Sequence, residues 1–469
     1  ISGNGESGIG VGNDNNRIIG NLIGTNIDGT GAIANLHGVF VFTGSDNQIE
    51  GNVISGNERY GVQIVGDDTT GNLVSGNLIG TDRSGTVAVP NFNGVLVAGP
   101  SNVIGVDASG NGVGNLISGN TASGVNVSGA ASTANLLAGN SIGTDLTGEA
   151  ALGNGSFGVF ISDQSSGNTI GGTTPEAANL ISGNSGGGIG MQGTGVTGNV
   201  VQGNLIGTTA AGTAKLGNGG TGVLVIGTEN TIGGSDPSAG NVIADNINGV
   251  EIVRSDNLVW NNWIGTDKSG TIDLGNLGPG VFLNDGSGNQ ILENVIAFNG
   301  IFGGGTGVAS LPRADGNPIL SNSIYSNEGL GIDLGDDGVT PNDDQDPDTG
   351  ANNLQNFPLL DSAISSGVNT VVAGTLNSLP VESFLLQFFS NETVDPSGFG
   401  EGRTFLGGTQ VVTDTDGDAS FAVECEGAIS VGTFVAATAT LVREPSVVEA
   451  GEGSGASPGS AGGPGVVAT

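Results

Sequence analysis

Cysteine is all but missing from this chain. Cys425 is the only one in 469 residues, so no intrachain disulfide can form and a disulfide-stapled module is excluded, although secretion is not. Basic residues are nearly as scarce. Nine Lys plus Arg stand against 45 Asp plus Glu, a formal net charge of −36. A field of that sign repels nucleic acid and anionic lipid, so neither is an expected partner. It attracts divalent cations and also suits a surface kept soluble in salt. Aromatics make up 4% of the chain, too few for a large core built around rings. Apolar residues lie singly between turns, and no run approaches the roughly 18 residues that a membrane span requires. The single histidine, His37, precedes a strand corner and reads as a turn residue. No nucleophile triad or zinc-ligand spacing is present.

What the chain has instead is glycine, 92 residues of it, in no Gly-X-Y order, so collagen is excluded. It also has a returning phrase. Gly20–Thr25, Gly76–Thr81, Gly139–Thr144, Gly203–Thr208 and Asn261–Thr266 are near copies, each ending in Ile-Gly-Thr. Self-similarity at a steady period marks a solenoid, whose units bury their apolar sides only against their neighbours. A second phrase, Gly-Val-x-Val, returns at Gly38, Gly61, Gly94, Gly124, Gly158, Gly188, Gly222, Gly249 and Gly280. Its period-2 alternation with β-branched residues is strand chemistry. Two shorter strands follow each copy, giving coils of three strands and three turns. About twelve such coils make a rod of roughly 55 Å at ~4.8 Å per strand. The chain opens inside a repeat, at Ile1-Ser2-Gly3-Asn4, which leads us to expect further solenoid upstream or a processed start.

Recurring asparagines (Asn52, Asn57, Asn77, Asn120, Asn140, Asn184, Asn204) read as internal ladders, each amide bonding its copy in the next coil. The x positions alternate along the rod. Phe40, Leu96, Phe160, Leu224 and Phe282 are apolar, whereas Gln63, Asn126, Gly190 and Glu251 between them are not. Five apolar residues in register would mark an interaction face, unless neighbouring loops fold over them. In the Ile-Gly-Thr loops, Asp82, Asp145 and Asp267 share a position with Asn26 and Thr209, which suits a turn-capping oxygen better than a metal ligand.

These phrases resemble bacterial secreted right-handed parallel β-helix repeat proteins, with the fold of the pectin-lyase-like superfamily. Asn168–Gly172 (NTIGG), Asn179–Asn184 (NLISGN) and Gly76–Thr86 carry the resemblance. It covers about residues 1–356 and implies an all-β fold: a parallel β-helix over 1–332, then an Asp-rich cap or linker over 333–356. Residues 357–446 read as a small Ig-like β-sandwich. They resemble a module that follows such rods, through Asn356-Phe357-Pro358, Phe388-Phe389-Ser390, Asp395–Gly402 and Ala437–Thr440. Members of that group often carry a Cys where this chain has Val394, so the disulfide it would form is not expected, and Cys425 reads as a free buried thiol or an intermolecular link. Residues 447–469 are a Gly/Ser/Pro tail, read as flexible.

Asp333, Asp336, Asp337, Asp343, Asp344, Asp346 and Asp348 crowd sixteen residues. They supply the hard oxygens that Ca²⁺ prefers, although the spacing is not that of an EF-hand, and a solvated acidic linker is the alternative. Enzymes of this fold act on polysaccharides with clustered acids, Ca²⁺ and an Arg or Lys base. Here cations are few, and Arg254, near Asp245, Glu251, Asp256 and Asp285, is the one weak catalytic candidate. From the missing cations and the regular outer face we expect a secreted or cell-surface bacterial protein. In that reading a rigid spacer acts by adhesion or self-assembly among cell-surface or matrix partners. The alternatives are a polysaccharide lyase, epimerase or hydrolase, or a glycan-binding protein without catalysis.

Overall fold

The computed structural model describes residues 1–442 apart from 108, 109, 111, 301–304 and 396, together with 466–468. Residues 1–334 wind into a parallel β-helix with three sheets. Sheet one has 12 strands, from Ser7–Val11 to Ile332–Leu334; sheets two and three have 11 each, from Arg17–Ile19 and Leu22–Ile23 to Ile319–Leu320 and Ser323–Tyr325. Every pairing between coils is parallel and joins equivalent residues, as in Val39↔Val62, Val62↔Val95 and Val95↔Val125.

The inward residues form columns. Val39, Val62, Val95 and Val125 on sheet one, Ile49, Val74 and Ile104 on sheet two, and Ile54, Ile79 and Ile117 on sheet three are all fully buried in one continuous core. Each such side chain contributes about 1.5–3 kcal/mol by leaving water. The glycine opening each Gly-Val strand is required by close approach: a Cβ on Gly94 would lie 2.5 Å from the Gly124 carbonyl oxygen.

Asparagine ladders run along the corners, as expected. One passes from Asn4 through Asn35 and Asn57 to Asn299 and Asn327. A second runs from Asn16 and Asn47 to Asn317, and a third from Asn21 and Asn52 to Asn322. In nearly every rung the side-chain Nδ2 and the backbone N–H both donate to the Oδ1 of the next Asn, as Asn57 does to Asn91 at 2.9 and 3.0 Å. The polar corners of the coil are thereby satisfied without water.

The Ile-Gly-Thr loops double back, bridging Thr81 to Ala88 and Thr144 to Ala151. Their shared residue caps the turn: Asp267 accepts the N–H groups of Ser269, Thr271 and Ile272, and Asn26 accepts those of Thr30 and Gly31. Burial alone would raise the Asp267 carboxyl; the Ser269 side chain and these backbone bonds outweigh it and hold the group at about 2.

Beyond the rod, two small antiparallel sheets share an apolar core. Leu359–Ser365, Asn369–Asn377 and Asp418–Glu426 form one; Thr404–Val412, Ser383–Asn391, Phe434–Leu441 and Val466–Ala468 form the other. Val372, Phe421 and the free Cys425 face Phe384, Leu386 and Phe388 in that core. Of the tail read as flexible, Val466–Ala468 extends the second sheet; residues 447–465 and 469 lie outside the described residues.

Candidate functional site

The x positions of sheet one stack into a single outward file: Gly10, Phe40, Gln63, Leu96, Asn126, Phe160, Gly190, Leu224, Glu251, Phe282, Ala309 and Asp333. Leu96 is buried, and Phe40, Phe160, Leu224 and Phe282 are half-buried. Rings from the same or adjoining turns lean on them, with Phe42 and His37 against Phe40 and Phe157 against Phe160.

The file holds one elaborated polar position. Glu251 sits between Leu224 and Phe282. Its Oε2 accepts Thr221 Oγ1 at 3.1 Å and Asn248 Nδ2 at 3.3 Å, and its Oε1 accepts Asn284 Nδ2 at 3.1 Å. The donors come from three successive coils, so the carboxylate is held in one orientation with its edge toward solvent. Sequence reading passed over this cradle. A signal existed: Thr221 and Asn248 each precede the strand glycine of their coil, at equivalent positions.

Arg254 lies two residues past that strand. It is exposed and makes no ion pair among the described residues. Of the acids grouped with it, Asp245 turns away to accept the Gly217 N–H at 2.7 Å. Asp285 sits in the next coil, on the turn whose Gly286 packs against the Arg254 backbone.

The seven aspartates divide. Asp343, Asp346 and Asp348 bring carboxylate oxygens within 4.8 Å of one another. Asp333, Asp336 and Asp337 lie around the Gly335–Gly338 turn, where Asp333 accepts the Gly338 N–H. Asp344 is exposed outside both groups. Asp346 is buried, with Ser378 Oγ, Gln355 Nε2 and the Asn356 N–H as donors. Burial outweighs those bonds and, with Asp348 and Asp343 nearby, pushes its carboxyl up to about 6. Asp348 Oδ1 is buried without a hydrogen-bond partner. This trio is the set that could hold a cation.

No protein-family model matches the chain, and no curated protein does. Among solved structures it is similar to the enzymatically active domain of bacteriophage CBA120 tailspike protein 2 (9% identity, TM-score 0.31, 93% of this chain and 68% of that one). It is also similar to full-length tailspike protein 2 from an Escherichia coli O157:H7 bacteriophage (10%, TM-score 0.31, 93% and 61%). A third is tailspike protein gp49 of Acinetobacter baumannii bacteriophage Fri1, described as a capsular polysaccharide depolymerase (10%, TM-score 0.27, 87% and 80%). The likeness is one of fold. Against the expectation of a structural spacer working by adhesion or self-assembly stands the finding that the similar chains whose names state a role are an enzymatically active domain and a capsular polysaccharide depolymerase. No helix among the described residues is long and apolar enough to cross a membrane.

Proposed function

We propose that the protein is carbohydrate-active and engages a polysaccharide lying along sheet one, outside the cell. The observation that carries this reading is the Glu251 carboxylate, fixed by Thr221, Asn248 and Asn284 between the apolar rungs Leu224 and Phe282. Apolar rungs offer the flat faces of sugar rings a surface. A carboxylate held between them accepts hydroxyl protons and can exchange a proton with a glycosidic oxygen. Cleavage by hydrolysis uses a second carboxylate across the scissile bond; our candidate for it is Asp285 on the next coil, with Arg254, exposed beside that turn, binding an oxygen of the sugar. A net charge of −36 favours a neutral glycan over a polyanion.

The test is a panel of neutral and acidic polysaccharides, scored for both binding and new reducing ends. Wild type is expected to act on a neutral member. Glu251→Gln, which retains the shape, is expected to lower cleavage about 10²–10⁴-fold, the usual contribution of a general acid or base. Activity equal to wild type in that variant would remove Glu251 from the chemistry. No binding to any member would remove the reading itself.

We further propose Ca²⁺ at Asp343, Asp346 and Asp348. The support is their convergence and the unpartnered Asp348 oxygen. A hard cation would relieve the repulsion among three carboxylates. Ca²⁺ at about 100 times its dissociation constant should stabilise the chain by about 2.7 kcal/mol. The melting midpoint is expected to fall on chelation and, in Asp348→Asn, to stop responding to Ca²⁺. A midpoint indifferent to Ca²⁺ in the wild type would leave the segment a solvated acidic linker.

A further inference from the structure

The ladder that begins at Asn4 does not end in water. Asn299 donates to Asn327 Oδ1 from its backbone and its side chain, at 3.0 and 2.9 Å. Asn327 then repeats the gesture toward a residue outside the rod. Its N–H and Nδ2 donate to Glu401 Oε1 at 3.0 and 2.9 Å, and the Ser326 N–H donates to Glu401 Oε2. Glu401 is 7% exposed and belongs to the loop that joins Ser383–Asn391 to Thr404–Val412 in the second C-terminal sheet.

The backbone beside it continues sheet three. Ile324 bridges Gly402 in antiparallel sense, with its N–H on the Gly402 oxygen at 2.9 Å. A rod end is a row of unpaired strand edges and unpaired ladder donors, and one short segment meets both needs.

We propose that Glu401 is the latch holding the C-terminal sheets on the rod, standing where the next Asn rung would stand. A glutamate suits the place better than another amide. Both of its oxygens accept, whereas the Nε2 of a glutamine would set a donor against the Ser326 N–H. A polar cleft of about 380 Å³ opens beside it. The titratable and charged groups lining that cleft are Tyr325 on the rod and Glu392, Asp395 and Arg403 on the other side. Arg403 is spent on Glu392 at 3.7 Å and on the Tyr325 ring at 4.7 Å. Burial, opposed by the bonds from Asn327 and Ser326 and aided by Asp395, raises the carboxyl to about 6.

Amide hydrogen exchange on the full chain tests this. In Glu401→Ala the Ser326 and Asn327 amides should exchange roughly 10- to 100-fold faster, the loss of one buried partner each. In Glu401→Gln, Asn327 should keep its protection through Oε1, and Ser326 should lose it. Wild-type protection of both amides in Glu401→Ala would overturn the latch. If Glu401→Ala also exposes Asn299, the rod end has unravelled, and the glutamine variant decides: equal loss at Ser326 and Asn327 there would overturn the rung role.

Discussion

Asn140→Ala is expected to destabilise the rod by about 3–5 kcal/mol, near the upper end for a single substitution. Asn140 is 1% exposed. Its Oδ1 accepts the Asn115 N–H and Nδ2, at 3.1 and 2.9 Å. Its Nδ2 donates to Ile104 O at 2.8 Å, to Ala138 O at 3.1 Å and to Asn179 Oδ1 at 3.0 Å. Alanine strands the Asn115 N–H without a partner and leaves the carbonyls of the corner short of a donor, each at a cost of roughly 1–3 kcal/mol. Asn140→Asp should do no better at neutral pH, since its second oxygen would face three acceptors. Thermal and urea midpoints measure the loss. Hydrogen exchange should place it in the coils of Asn115, Asn140 and Asn179, because a solenoid couples each coil only to its neighbours. A midpoint within about 0.5 kcal/mol of wild type, the range of an unremarkable surface change, would mean that the ladder is decoration.

Gly80→Ala should be as damaging for a different reason. Gly80 has φ +91°, and a Cβ there would sit 2.3 Å from both the Ser118 carbonyl oxygen and Asn120 Oδ1. The variant meets the left-handed penalty of about 1–2 kcal/mol and also a collision that only backbone movement in the next coil can relieve. Gly51→Ala separates the two terms. Gly51 has φ +64° with nothing within 4 Å of a Cβ, and Glu293 and Ser321 occupy the same place before their ladder asparagines, at φ 52° and 54°. It should lose only about 1 kcal/mol. We expect Gly80→Ala to lower the urea midpoint at least twice as far as Gly51→Ala. Equal losses would show that the Ile-Gly-Thr glycine answers to its dihedral alone.

The rod was legible because its rules are local and repeated. Val39, Val62 and Val95 alternate with outward residues at period 2, which declares a strand, and each copy needs the next to bury it. The asparagines were legible for the same reason: a polar residue returning at every corner of an apolar coil must bond to itself. The C-terminal strands followed from Val371–Leu376, Phe384–Phe389 and Phe434–Thr440, whereas Leu359–Ser365, largely exposed, gave little pattern to read. The Glu251 cradle went unread because its three donors lie on three coils, and loops of unequal length hide their common register.

Sequence by itself therefore determined the solenoid, its three-strand coil, its ladders and the turn-capping role of Asp82 and Asp267. The ladders and core columns are contacts between a residue and its own copy one coil away, and the caps close one loop on itself, as Asp82 does on the Thr86 and Val87 N–H groups, so the repeat states them all. Tertiary structure alone decided which carboxylates meet. It split the seven aspartates and left a trio at Asp343, Asp346 and Asp348. It also brought Glu401 to Asn327, 74 residues away in the chain. Those encounters join segments that share no repeat, and only the path of the folded chain sets the distance between them.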